Sequence, residues 1–231
     1  MLSLIGDARY AQGPVSEADV ERVYSAWERE RHHSSERHIY PEVLASLQKI
    51  KEQHPDVIIG AVTDGKANPL NMMFTLAPYF DYCMSWEDDA SGRLEFFKDL
   101  SNVDGQADLQ WIYKATYDKY SEIAHDRGLQ VMDSDEMAWI HIGDDLAYDV
   151  GGSSSCGADT ILLDLDKEYG QTAKSRFFWG SETAMPSWNT ASDEEISNRK
   201  AMNDAAEMLV DKRVSRVTQI PEAIDEILRG E

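Results

Sequence analysis

The sequence predicts an α/β protein built on a parallel sheet with helices on both faces. Three observations carry this. Val57–Val62 is a continuous β-branched-rich run, the mark of a strand buried on both faces. Across residues 39–166 such runs alternate with helical periodicities, and strands joined through helices pair in parallel by crossovers. The alternation resumes over 213–229, after a polar interruption at 167–212.

Residues 16–32 are predicted as an amphipathic helix. Ser16 can cap it, and Val20, Val23, Tyr24 and Trp27 recur at i, i+3, i+4 and i+7. His32 and His33 at its end read as a solvated terminus that suits the helix dipole, rather than as metal ligands. Pro41 is well placed at the first turn of the next helix, which contains Val43, Leu44, Leu47 and Ile50. After the strand at 57–62, Asn68-Pro69 starts a helix through Leu70, Met73 and Phe74. Phe80–Ser85 reads as a short strand. Residues 107–127 read as a long helix with Leu109, Ile112, Tyr113, Tyr120 and Ile123 inward. Met137–Ile142 is a strand, Leu146–Cys156 a helix, and Thr160–Leu163 a further strand. A helix is expected around 194–210. Val214–Val217 is then a strand, and Pro221 opens a final helix with Ala223, Ile224, Ile227 and Leu228.

Composition narrows the function. The 231 residues suffice for one sizeable domain with a small accessory piece, and a 42% hydrophobic fraction with six Trp supplies a core. The formal charge of −21 argues against nucleic acid or an anionic membrane as partner, because phosphate contacts need Lys and Arg. No apolar run approaches the roughly 20 residues that span a bilayer. The start, Met1-Leu2-Ser3-Leu4-Ile5-Gly6-Asp7, lacks the features of a secretory signal. Cys83 and Cys156 give neither a disulfide framework nor metal-ligand spacing. They read as small buried thiols, and the expected location is a soluble, reducing intracellular compartment, cytoplasm or organelle.

Two strand ends are chemically marked, and ligands in such sheets sit at the C-terminal ends of strands. The first is Val62-Thr63-Asp64-Gly65. A Thr hydroxyl followed by backbone N–H groups in a Gly-containing turn can hold phosphate oxygens, which makes Thr63, Asp64 and Gly65 the expected phosphate site. The second is His141-Ile142-Gly143-Asp144-Asp145-Leu146-Ala147-Tyr148-Asp149. Asp144 and Asp149, five residues apart, can face one small volume and suit a hard cation, Mg²⁺. Asp is also favoured in turns and helix caps, the plainer use of the same residues.

These segments resemble the haloacid dehalogenase-like (HAD) hydrolases. The stretch YPEVLASLQKIKEQHPDVIIGAVTDGKANPL is similar to the segment that leads into the family's second motif, with Thr63 on its Thr/Ser position. HIGDDLAYDVGGSSSCGADTILLDL is similar to the fourth motif, with Asp144 and Asp149 on its acidic positions and Gly157 before the next strand. The resemblance covers about 38–166 and 213–229. It implies a Rossmann-like sheet at 38–231 with an acidic insertion at about 167–212, and makes residues 1–37 the remnant of a helical cap.

The departures are specific. The family's nucleophilic Asp, in a D-x-D-x-T/V pattern on the first strand, has no counterpart before residue 57. Asp7 is followed by Ala8-Arg9-Tyr10. That strand lies between those carrying the second and fourth motifs, so its absence is expected to remove a central row of hydrogen bonds and leave two buried edges. Thr160–Asp166 contains a D-x-D, but Lys167-Glu168 follows it, and it reads as an ordinary strand end. Lys98 is the nearest candidate for the family's phosphate-steadying lysine, although most lysines are simply solvated.

The resemblance implies a Mg²⁺-dependent phosphatase for a small phosphate ester, with Thr63, Asp149 and Lys98 as catalytic residues and Asp144 and Asp149 holding the metal. In that reading the chain is a truncated form of a longer, active parent and has low activity itself. The alternative is a non-catalytic protein of the same fold that engages a protein partner through the insertion, whose Phe177, Phe178, Trp179 and Trp188 form an aromatic patch.

Overall fold

The computed structural model describes residues 15–63, 67–85, 111–129, 138–166, 169 and 193–230. It is a mixed α/β structure with two short parallel sheets. Helix α1 (Glu17–Glu36) is capped by Ser16, whose side chain accepts the Asp19 N–H at 3.2 Å. Helix α2 (Pro41–Gln53) carries Pro in its first turn and buries Ser46 and Ile50. Strand β1 (Gly60–Thr63) pairs in parallel with β2 (Tyr82–Ser85), Gly60 opposite Tyr82 and Thr63 opposite Ser85. Helix α3 (Trp111–Asp126) follows. Strands β3 (Ile140–Gly143), β4 (Asp159–Leu163) and β5 (Lys212–Val214) form the second sheet, in that order and all parallel. A π-helix (Leu146–Gly152) lies between β3 and β4, and α4 (Asp193–Ala206) precedes β5. Helix α5 (Ile220–Arg229) closes the chain, ending at Gly230, whose φ of 70° suits a residue without Cβ.

Helices pack against both sheets. On one face, Ile50 of α2 and Ala223 and Ile224 of α5 form a core with Ile161 and Val214, and Val57, Ile59, Ile140 and Ile142 pack against it. The segment leading into β1 and the second sheet thus contribute to one apolar layer. On the other face, Ile112, Ala115 and Ile123 of α3 pack with Tyr82, Met84 and Ile58. The same helix reaches the second sheet through Tyr117 against Trp139 and Tyr113 against His141. Further along that face Val150, Leu162 and Ala206 form a third cluster. Each apolar side chain fully removed from water here contributes about 1.5–3 kcal/mol. Among the described residues no ladder joins β1 to β3, so the sheet is in two pieces.

Several expectations need correction. The β1 ladder starts at Gly60 rather than Val57, because the Asp81 carboxylate takes the Ile59 N–H at 2.7 Å and the Asp81 N–H bonds the Ile59 carbonyl. The helix expected from Pro69 through Met73 and Phe74 is one 3₁₀ turn, Pro69–Asn71, and Met73 and Phe74 are exposed beyond it. The last strand is Lys212–Val214, since Val217 already begins a 3₁₀ turn. The helix after Asp145 is a π-helix of seven residues. The two cysteines are half-buried rather than buried. His32 is buried, not solvated: it lies 3.0 Å from the Glu28 carbonyl through Nδ1, and Nε2 accepts the Asn68 N–H at 3.3 Å. The aromatic cluster at 177–188 falls outside the described residues.

Candidate functional site

Strand β3 ends at Gly143 and delivers the chain into Asp144, Asp145 and the π-helix. The widened turn arises because the Asp145 carbonyl accepts both the Asp149 N–H at 2.9 Å and the Val150 N–H at 3.1 Å. Single π turns of this kind occur often at functional sites. They bring a residue back toward the strand, and here that residue is Asp149. Its carboxylate lies on the bare Cα of Gly143, in the volume a Cβ would take. Oδ2 accepts the Asp145 N–H at 3.0 Å, and Oδ1 is 3.5 Å from His141 Nε2. Asp149 is therefore fixed from two sides.

Asp145 is used differently. Its Oδ1 caps the π-helix by accepting the Tyr148 N–H at 2.9 Å, and its Oδ2 pairs with Arg199 of α4. The Arg199 guanidinium is buried and lies over the Tyr148 ring at 3.9 Å, so one cation meets a carboxylate and a π face together. Asp144 is the exposed member of the three.

Tyr113 supports the turn from α3. Its hydroxyl donates to the Tyr148 carbonyl at 2.7 Å, and its ring meets His141 edge-on at 5.0 Å and 82°. Gly152 makes room for the ring, which a Cβ would overlap. Burial pushes the Tyr113 hydroxyl pKa up, and the nearby Asp149 and Asp145 charges push it further, so it stays a protonated donor.

The structure joins Asp149, Asp145 and His141 in one bonded unit at the end of β3. Thr63 ends β1, in the other sheet. Asp64, Gly65 and Lys98 lie outside the described residues. The Asp164 end of the D-x-D stretch behaves as an ordinary strand terminus: its N–H bonds the Val214 carbonyl and its carboxylate pairs with Arg213 at 3.2 Å. Sequence reasoning missed His141, Tyr113 and Arg199 as parts of the turn. A polar residue in the apolar run before Gly143 was the available signal for His141. Nothing local marks Arg199, which stands 54 residues from Asp145.

Among the described residues no three His, Cys, Asp or Glu side chains gather into a ready-made metal site. The donors still fit a hard cation: Asp144 and Asp149 offer oxygen only, and Mg²⁺ commonly takes one or two carboxylates and fills its shell with water. Among the described residues no helix is long and apolar enough to cross a membrane.

Comparison with known proteins adds one relative. Over 137 residues the chain is 25% identical to "Uncharacterized protein YMR130W" of Saccharomyces cerevisiae. The match takes in 59% of this chain and 42% of the yeast protein, so the chain spans less than half the length of that relative. No family model matches, and no solved structure matches.

Proposed function

We propose that the chain carries the cation- and phosphate-binding part of a HAD-like phosphatase site for a small phosphate ester, within a Rossmann-like α/β core. The observation that carries this is the fixed placement of Asp149 on Gly143, one turn after the exposed Asp144. A carboxylate held by the Asp145 N–H and placed 3.5 Å from His141 is pre-organised to face a cation, so little ordering remains on binding.

In this reading Thr63 donates its hydroxyl to a phosphate oxygen, and the amides of Asp64 and Gly65 bind a second. Asp144 and Asp149 hold Mg²⁺, which supplies charge neutralisation to the transferring phosphoryl group. Lys98 steadies the phosphate. The protein's net charge of −21 repels a phosphate ester at long range, and these local donors must outweigh it. No D-x-D-x-T/V pattern precedes residue 57 in this sequence, so little turnover is expected from it.

Mg²⁺ titration calorimetry, with an aryl-phosphate hydrolysis assay beside it, tests the proposal. The expected result is Mg²⁺ binding that Asp144→Asn abolishes, with hydrolysis near background. No Mg²⁺ binding by the wild type contradicts the site. Robust hydrolysis lost in Asp144→Ala contradicts the expectation of little turnover.

A further inference from the structure

An amphipathic helix ordinarily turns its apolar stripe toward its own core. Helix α1 does the reverse. Val20, Val23, Tyr24 and Trp27 are 37–43% exposed, whereas on the other face His32 is buried and Ser25, Glu28 and Glu36 are half-buried. At 3.6 residues per turn the two faces lie about a third of a turn apart. The attachment is polar and sits at one end of the helix. His32 Nε2 accepts the Asn68 N–H at 3.3 Å, and Glu36 Oε1 accepts the Phe74 N–H at 2.9 Å and the Thr75 hydroxyl at 3.2 Å. The stripe is nevertheless organised, with Tyr24 and Trp27 rings 5.7 Å apart and the Arg31 guanidinium 5.4 Å from the Trp27 ring.

We propose that α1 pairs antiparallel with α1 of a second copy of this chain. The charges of the helix select both partner and direction. Val20 and Trp27 take a positions of a heptad and Val23 a d position, with Glu17, Tyr24 and Arg31 at e and Asp19, Ala26 and His33 at g. An antiparallel pair sets e against e and g against g. A two-fold axis at Ser25 then places Val23 on Trp27 of the other copy in both directions. The same axis brings Glu17 to within two residues of the level of Arg31 on one edge and Asp19 to within two residues of the level of His33 on the other, with the small Ala26 residues near the centre. Parallel pairing sets e against g instead, and brings none of these opposite charges together. Such an interface is isologous and closes as a dimer.

Sedimentation equilibrium of the full chain at physiological ionic strength tests this, since salt there screens the general repulsion of two acidic proteins beyond about 8 Å. The wild type is expected to approach twice its 26.1 kDa as concentration rises. Trp27→Glu should weaken association at least tenfold. Glu17→Arg and Arg31→Glu should each weaken it severalfold, and the double exchange should restore it. These side chains are exposed, so the thermal transition followed by circular dichroism should not move. A wild type of 26.1 kDa at every concentration overturns the proposal. So does a dimer that Trp27→Glu leaves intact, or one that the double exchange fails to restore.

Discussion

The Asp149 carboxylate occupies the space that a side chain on Gly143 would fill. The strand end and the acidic turn are thus one unit: the chain must lack a Cβ at 143 for the carboxylate to fold back. Gly143→Ala should destabilise the protein by about 1–3 kcal/mol, as overpacked positions do, and should weaken Mg²⁺ binding about tenfold by displacing Asp149. Chemical denaturation and Mg²⁺ calorimetry on the one variant check both effects.

Arg199 ties α4 to the turn. Its guanidinium is buried between the Asp145 carboxylate and the Tyr148 ring. Arg199→Met removes the positive charge and strands a half-buried carboxylate, with an expected loss of about 3 kcal/mol. Asp145→Asn with Arg199→Met should cost less than the sum of the two single changes, which a double-mutant cycle in urea measures.

Asp81 joins three parts of the fold. It accepts the Ile59 N–H before β1, pairs with Lys51 of α2 at 3.1 Å, and meets Arg127 after α3. Burial alone would raise its pKa, but the Ile59 N–H and the two cations outweigh burial and hold it below the ordinary 3.8. A lowered carboxylate pKa contributes stability that is present above 3.8 and is lost as pH falls through the lowered value. Asp81→Asn should cost about 2 kcal/mol at neutral pH, and the gap to wild type should narrow at acid pH. Thermal melts across a pH series read this directly.

Much of the fold was legible because burial leaves a pattern. The β-branched run at 57–62 and the apolar run into Gly143 marked β1 and β3, and Pro41 and Pro221 marked helix starts. Element edges were less legible, since they depend on distant partners. Asp81 ends the run before β1 by taking the Ile59 backbone, which no local signal at Ile59 announces. The stripe on α1 was read correctly as apolar periodicity. Periodicity says that a face resists water, not what covers it, so its exposure was hidden. His32 was misread for a related reason: its partner, the Asn68 N–H, is 36 residues away. Spacing marked Asp144 and Asp149 as neighbours on the turn after β3. Their differing surroundings come from the π turn and from Arg199, both products of packing.

Tyr82 makes another close approach to a glycine, with its ring against Gly60 at the start of β1. Gly60→Ala should force the ring aside and separate β1 from β2 at their first register pair. The expected cost is about 1–3 kcal/mol, with faster amide exchange at Ala61 and Cys83 than in wild type.

Shared occupancy of one pocket by the ends of β1 and β3 is best tested with Mn²⁺ substituted for Mg²⁺ in an isotope-labelled sample. Paramagnetic broadening should take the amide signals of Thr63, Asp144 and Asp149 together at substoichiometric metal, and Asp144→Asn should abolish all three effects. Broadening confined to 144–149, with Thr63 untouched, would contradict the account.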